Sequence, residues 1–372
     1  MIVPLLDLRA QHRAVGEAVL RRALEVVESQ AFILGQPVAD LEARIAELSR
    51  AEYGVGLATG TDALLLPLKA LGLEPGDEVI TVPFTFFATA GAIHNAGARA
   101  VFVDIDEGTY NIDVARIEAA VTPRTRAIVP VHLFGQMAAM ESVLAVARKH
   151  GLAVIEDAAQ SIGARRRIDG TWRVAGELGT ATCLSFFPTK NLGCWGDGGM
   201  VVTSDRRIAD RVRLLRTHGG MKMYYHEEVG TNSRLDAIQA AVLLAKLPHL
   251  AAWSAARRAN AAWYDGALAG VGAVRTPVRD PANEHIFHQY VIAAERRDEL
   301  QEHLKAAGIG TGVYYPRPLH LQKCFEYLGY GEGAFPAAES ASRRVLALPV
   351  YPELTEAQRE HVVSSIRDFY RA

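Results

Sequence analysis

The chain has 372 residues, 49% of them hydrophobic and 22% charged, a composition that builds a sizeable core and excludes a disordered chain. Its net charge is −2 with no basic block, which excludes the electrostatic footprint of a nucleic-acid binder. No apolar run reaches about 18 residues, and the opening MIVPLLDLRAQHR lacks the basic start and long apolar stretch of a signal peptide, so no membrane partner and a cytoplasmic location are expected.

In chain order, residues 8–28 read as an amphipathic helix with Leu8, Val15, Val19, Leu20 and Leu24 on one face. A Gly35-Gln36-Pro37 break leads to a second helix over 37–50. Apolar residues in EYGVGLATGTDA lead into Gly60, where Thr61 or Asp62 can cap a helix running to about Leu71. The pattern then alternates. Strands are predicted near 78–82, 99–103, 126–131, 152–156, 181–187 and 199–203, and helices near 86–96, 113–120, 138–149 and 205–217. These strands are continuous Val/Ile/Ala runs, as in a parallel sheet covered on both faces. The segment HGGMKMYYHEEVGTNSRL has no clear period and reads as a functional loop, followed by Ala-rich helix over 233–269. Pro277–Pro281 reads as a linker. Beyond it a separate α+β pattern is expected: strands 288–294 and 310–315, helices 297–307, 336–346 and 355–371. The division is a large unit over 1–250 and a smaller C-terminal unit over 251–372.

Ligands of such sheets bind outside the carboxyl ends of the strands, so the residues just after each strand carry the information. One is Lys190, in ATCLSFFPTKNLGCWGDGGMVV, a lysine at a strand end in a segment with almost no other charge. Burying it demands a partner or a lost proton, the setting of a Schiff-base-forming lysine; alternatively its stem packs on apolar surface and the ammonium reaches water. A second is Asp157 in IEDAAQ, which needs a cation if buried, or simply caps the next turn. Gln160, three residues on, could reach the same ligand. A lysine and an acid at neighbouring strand ends are the minimum apparatus of a pyridoxal phosphate enzyme. A helix start at Gly60-Thr61 able to bind phosphate, the Ser185 hydroxyl and Phe86, able to stack on a ring, fit the same ligand. Each also has a plain capping or packing role. Gly54, Gly56 and Gly60 form GxGxxxG rather than GxGxxG, so a dinucleotide site is a weaker alternative. Three scattered cysteines, with no CxxC, indicate neither a disulfide framework nor a zinc ribbon.

With GTDAL at 60–64, PFTFFATA at 83–90, EDAAQ at 156–160, SFFPTKNLGCWGDGG at 185–199, RTHG at 216–219, GTNSRLDAIQAA at 230–241 and YYPRPLHLQ at 314–322, the sequence resembles the nucleotide-sugar aminotransferases of the DegT/StrS family over about residues 4–365. The resemblance implies the aspartate aminotransferase-like fold type I: a large three-layer domain with a mainly parallel sheet, plus a smaller C-terminal α+β domain. It implies pyridoxal 5'-phosphate as cofactor, with Lys190 forming the Schiff base and then shuttling protons. Asp157 would pair with the pyridine nitrogen, Gln160 would contact the ring hydroxyl, and Phe86 would stack on the ring. Gly60, Thr61, Asp62 and Ser185 would hold the phosphate, joined by Asn232 from the neighbouring subunit of a homodimer. Arg234, His218, Tyr314, Tyr315 and His320 would lie near a nucleotide-sugar. No metal is implied. Related dehydratases resemble this chain but carry histidine at the lysine position, so Lys190 favours transamination, with glutamate as donor and a UDP-linked 3-keto sugar, often 2-acetamido, as acceptor. A dTDP-linked 3-keto or 4-keto-6-deoxyhexose is the alternative acceptor.

Overall fold

A computed structural model describes residues 1–371. Two helices open the chain, α1 (Leu8–Ser29) and α2 (Gln36–Leu48), α1 capped by Asp7, which accepts from the Ala10 N–H at 2.9 Å. Then come β1 (Tyr53–Leu57), α3 (Gly60–Ala70), β2 (Glu78–Thr81), α4 (Ala88–Asn95), β3 (Arg99–Phe102), α5 (Val114–Ile117), β4 (Thr125–Ile128), α6 (Met140–His150) and β5 (Ala153–Asp157). A hairpin of β6 (Arg165–Ile168) and β7 (Thr171–Val174) precedes β8 (Ala181–Ser185) and β9 (Gly199–Thr203). Helices α7 (Arg206–Leu215), α8 (Ala237–Lys246) and α9 (Leu250–Leu268) follow. The last part holds β10 (Val274–Arg275), β11 (Asn283–Glu284), β12 (Tyr290–Ala294), α10 (Arg297–Ala306), α11 (Pro336–Arg344), β13 (Val345–Leu348) and α12 (Glu356–Arg371).

The main sheet has seven strands in the order β1-β9-β8-β5-β4-β2-β3. From β8 to β3 all neighbours are parallel; β9 is antiparallel to both β8 and β1. Strand β1 therefore points the same way as the parallel set. The carboxyl ends of β1, β2, β4, β5 and β8 thus open on one edge, where connecting loops can place side chains around a ligand. Residues such as Val79, Ile80, Ala127 and Ile155 are fully buried, which the layered cover explains: α3 packs on β5, β8 and β9, α6 on β4 and β5, and α2 on β1 and β9. The architecture is the expected α/β fold with a mainly parallel sheet. A second core gathers Tyr264, Tyr290, Leu300, Leu346 and Ile366 around the β10-β12-β13 sheet. Val3, from the other end of the chain, belongs to it, its N–H donating to Gly308 O.

Several local expectations fail for identifiable reasons. No strand forms over 310–315, because the two edges of β12 are taken by β10 and β13 and the segment is left with a single bridge, Gly312 to Ala347. The helix expected over 336–346 ends at Arg344, since the apolar run Val345–Leu348 pairs with β12 instead. The strand expected over 181–187 stops at Ser185, and that over 126–131 at Ile128. The β6–β7 hairpin lies outside the predicted elements; Asp169-Gly170, both at positive φ, is its two-residue turn. The GxGxxxG lead-in is strand β1.

Candidate active site

The first wall of the site is the start of α3. Its cap is Thr59, whose Oγ1 accepts from the Asp62 N–H at 3.0 Å, rather than Thr61 or Asp62. Capping from one residue earlier leaves the Gly60 and Thr61 N–H groups at the helix's positive end without a partner in the helix. Across from them stands Ser185, at the end of β8. A Cβ on Gly60 would lie 2.6 Å from the Ser185 Cβ and 2.7 Å from its Oγ, so only glycine lets these two elements meet. The carboxylate of Asp62 faces elsewhere, accepting from the Ser233 hydroxyl at 2.7 Å. It anchors the 232–234 segment.

After Ser185 the chain turns tightly. The Lys190 N–H donates to Phe187 O at 2.8 Å, and the Cys194 N–H to Phe186 O at 2.9 Å. A Cβ on Gly193 would sit 2.3 Å from Pro188 O, so the glycine-rich run closes against the Lys190 loop. Helix α8 holds it from behind: Lys246 Nζ donates to Gly193 O at 2.7 Å and Gln239 exchanges two hydrogen bonds with the Trp195 backbone. Lys190 itself is half-buried. Burial lowers its pKa to about 8, against an opposing pull from Asp157. It therefore holds its proton far more loosely than an ordinary lysine.

Asp157, at the end of β5, is 5% exposed. Its Oδ2 accepts from Thr89 Oγ1 at 2.7 Å and its Oδ1 from the Ala159 N–H at 3.1 Å. Burial pushes its pKa up despite these bonds and despite Lys190. A buried carboxylate with neutral donors and, among the described residues, no salt bridge is suited to receive a cation. Gln160 sits beside it, its Oε1 accepting from the Phe134 N–H at 2.7 Å and its Nε2 donating to Tyr315 Oη at 3.0 Å. Tyr315 in turn lies 6.3 Å from Phe86, centroid to centroid. Phe86 is 58% exposed; an aromatic face left open at a strand end is available to a planar ligand. Tyr314 is half-buried next to Tyr315.

The remaining expected residues fall elsewhere. His218 and Arg234 line a separate cleft of about 930 Å³ between the end of α7 and the loop over 218–230, together with Arg213, Arg216 and Tyr224. Lys190 is not among its lining residues. Asn232 is exposed beside Ser233. His320, expected near a sugar, is 1% exposed; its Nε2 lies 3.1 Å from Glu339 and its ring meets the Phe335 ring edge-on. It buttresses the 319–321 turn, which docks through the Leu319 N–H on Pro83 O.

One neighbour of the site, Thr89, escaped the sequence reading, and two residues at strand ends, His132 and Glu156, form a pair that their spacing does not reveal. Thr89 is the second residue of α4, and its hydroxyl sits between the Asp157 carboxylate at 2.7 Å and Thr85 Oγ1 at 3.2 Å. His132 and Glu156 are fully buried 2.7 Å apart, and the His132 N–H donates to Asp157 O. Glu156 precedes Asp157, and adjacent strand residues face opposite ways, so this pair braces β5 from the far face.

A sequence model of the DegT/DnrJ/EryC1/StrS aminotransferase family matches residues 14–367. A Geobacillus stearothermophilus protein named "Pleiotropic regulatory protein" is 54% identical, covering 100% of this chain and 99% of its own. An Acidithiobacillus ferrooxidans protein, named as the 3-aminotransferase of UDP-N-acetyl-3-dehydro-alpha-D-glucosamine, is 46% identical, with 98% and 97% covered. The crystal structure of DesV from S. venezuelae, in complex with a ketimine intermediate, is 42% identical and superimposes with a TM-score of 0.96 over 100% of this chain and 99% of that one.

Proposed function

The chain belongs to the DegT/DnrJ/EryC1/StrS aminotransferase family, and from that premise we propose that it moves an amino group from L-glutamate to the keto group of a nucleotide-linked sugar, a UDP-linked 3-keto-hexose bearing a 2-acetamido group. The acceptor follows the 46%-identical relative and the NSRLD and FFPTKNLGCWGDGG segments. The single observation that carries the reading is the pairing, at and just past the ends of the neighbouring strands β5 and β8, of a lysine whose charged form burial disfavours with a buried carboxylate that takes only neutral hydrogen-bond donors among the described residues.

The residues present suit pyridoxal phosphate. Asp157 offers the buried charge that a protonated pyridine nitrogen neutralises, and the Gly60–Ser185 contact leaves a cradle that a single Cβ would fill. The cofactor supplies an electron-accepting ring that bonds to an amine and stabilises charge on the adjoining carbon. Everything else falls to the protein. Gly60, Thr61 and Ser185 bind the phosphate, while Phe86 and Gln160 fix the ring plane. Lys190 Nζ, near neutrality as a base, takes and returns the proton on the reacting carbon. Asn232, Arg234 and His218 act from the second copy of a homodimer, which accounts for the cleft of His218 and Arg234 lying apart from Lys190 within one chain. Among the described residues no helix is long and apolar enough to cross a membrane, in keeping with a cytoplasmic enzyme.

The name of the 54%-identical relative raises a second reading, a regulatory protein that holds the cofactor without turnover. The intact Lys190 argues for turnover. Purified protein given glutamate and a UDP-3-keto sugar should form 2-oxoglutarate and an aminated sugar, and Lys190→Ala should form neither. Turnover by Lys190→Ala would overturn the role of Lys190. A yellow wild-type protein, inert with every keto sugar offered, would support the regulatory reading.

A further inference from the structure

The segment Ile286–Gln289 enters the site from the C-terminal part of the chain, just before β12, and is clamped from three sides. The Ile286 and Gln289 N–H groups donate to Gly135 O at 3.0 Å and Phe134 O at 3.3 Å. Phe134 is also the residue whose N–H holds Gln160. From below comes Arg257, 4% exposed and without a salt bridge among the described residues. Its Nη1 donates to the carbonyls of Phe287 at 3.1 Å, His288 at 3.2 Å and Val350 at 2.7 Å. A buried guanidinium held by carbonyls alone keeps those carbonyls in fixed positions. The third clamp is the His288 ring, whose Nδ1 lies 3.1 Å from Asn191 Oδ1. Asn191, 5% exposed, is the residue next to Lys190.

The network sets the protons. Asn191 Nδ2 donates to Ile286 O at 3.4 Å, which leaves Oδ1 as the acceptor and puts the hydrogen on His288 Nδ1. Burial first, then Lys190 and Arg257, hold the His288 pKa well below its usual value. The ring is therefore neutral, and it adds no positive charge beside the lysine. We propose that His288 is a positioning residue for Lys190: through Asn191 it fixes the lysine's backbone, and through the clamped 286–289 segment it ties that position to Gln160. One short segment thereby sets the lysine and the glutamine relative to each other. The inference rests on Lys190 being the reacting lysine.

The test compares His288→Phe, which keeps the ring's bulk and loses the bond, with His288→Asn, whose amide nitrogen can stand in for Nδ1. In His288→Phe the uptake of pyridoxal phosphate by apoenzyme, read at its visible absorbance, should slow about tenfold or more, kcat should fall as much, and KM should stay within about threefold. His288→Asn should recover both rates to within about threefold. Asn191→Ala, which also loses the long bond to Ile286 O, should lose at least as much as His288→Phe, and the double variant should be no worse than Asn191→Ala, because both remove the His288–Asn191 bond; Asn191→Ala also carries the test if His288→Phe does not fold. Unchanged uptake and kcat in His288→Phe, no recovery in His288→Asn, or losses that multiply in the double variant would each overturn the proposal. If Lys190→Ala kept its activity, the underlying reading would fail instead.

Discussion

Replacing Asp157 with asparagine should make Lys190 more reactive while abolishing turnover. Burial takes the lysine from its usual 10.5 to about 8, and Asp157 is the group that opposes this drop. A pKa of 8 leaves about one lysine in ten as the free amine at pH 7, against about one in 3,000 at 10.5, a gain of roughly 300-fold in nucleophile. Removing the Asp157 charge withdraws the opposing pull, so the pKa falls further and the amine fraction rises. The assay is labelling of apoenzyme with an amine-acylating reagent across pH 6–11, with the Lys190 peptide followed by mass spectrometry. The wild-type rate should climb about tenfold per pH unit and level off near pH 8. In Asp157→Asn the plateau should begin lower, while transamination drops by at least about 100-fold because the cationic ring nitrogen loses its counter-charge. A wild-type plateau near pH 10, or one that moves upward in Asp157→Asn, would refute the reasoning.

The stability of the apoenzyme carries the same signature: the folded state holds Lys190 with fewer protons than the unfolded chain between pH 8 and 10.5, so stability should rise over that window, and urea melts of Lys190→Met should lack this increment of at most about 3 kcal/mol. Thr89→Val leaves the buried Asp157 Oδ2 without its 2.7 Å donor and should cost about 1–3 kcal/mol in denaturant unfolding. In Gly60→Ala the new Cβ would press on Ser185 at 2.6 Å, and pyridoxal phosphate should bind at least about tenfold more weakly by equilibrium titration. Mixing inactive Lys190→Ala with inactive Arg234→Ala and allowing subunits to exchange should restore about a quarter of wild-type activity if sites are shared between copies; no recovery after proven exchange would refute sharing.

The large unit was legible because parallel strands buried on both faces read as unbroken apolar runs, and Lys190 and Asp157 could be placed just after strands from those runs alone. What stayed hidden depended on pairing at a distance. Nothing local in VLAL says that it pairs with β12 and that 310–315 does not. Thr59 takes the cap because it sits at the turn out of β1, a strand made visible only by its pairing with β9. His320 matches a motif by spacing, yet its ring is enclosed by Phe335 and Glu339, which lie beyond that motif. His288 lies about 100 residues from Lys190 and becomes a neighbour only through Asn191.

The central claim is that Lys190 carries an amino group to a sugar carbonyl, and the most direct measurement is the product itself. Purified enzyme incubated with glutamate and UDP-linked 3-keto-N-acetylglucosamine should yield one 2-oxoglutarate per sugar in which the C3 oxygen has become an amine, by NMR and mass spectrometry, with none from Lys190→Ala. A sugar dehydrated rather than aminated, or amination that persists without Lys190, would contradict it.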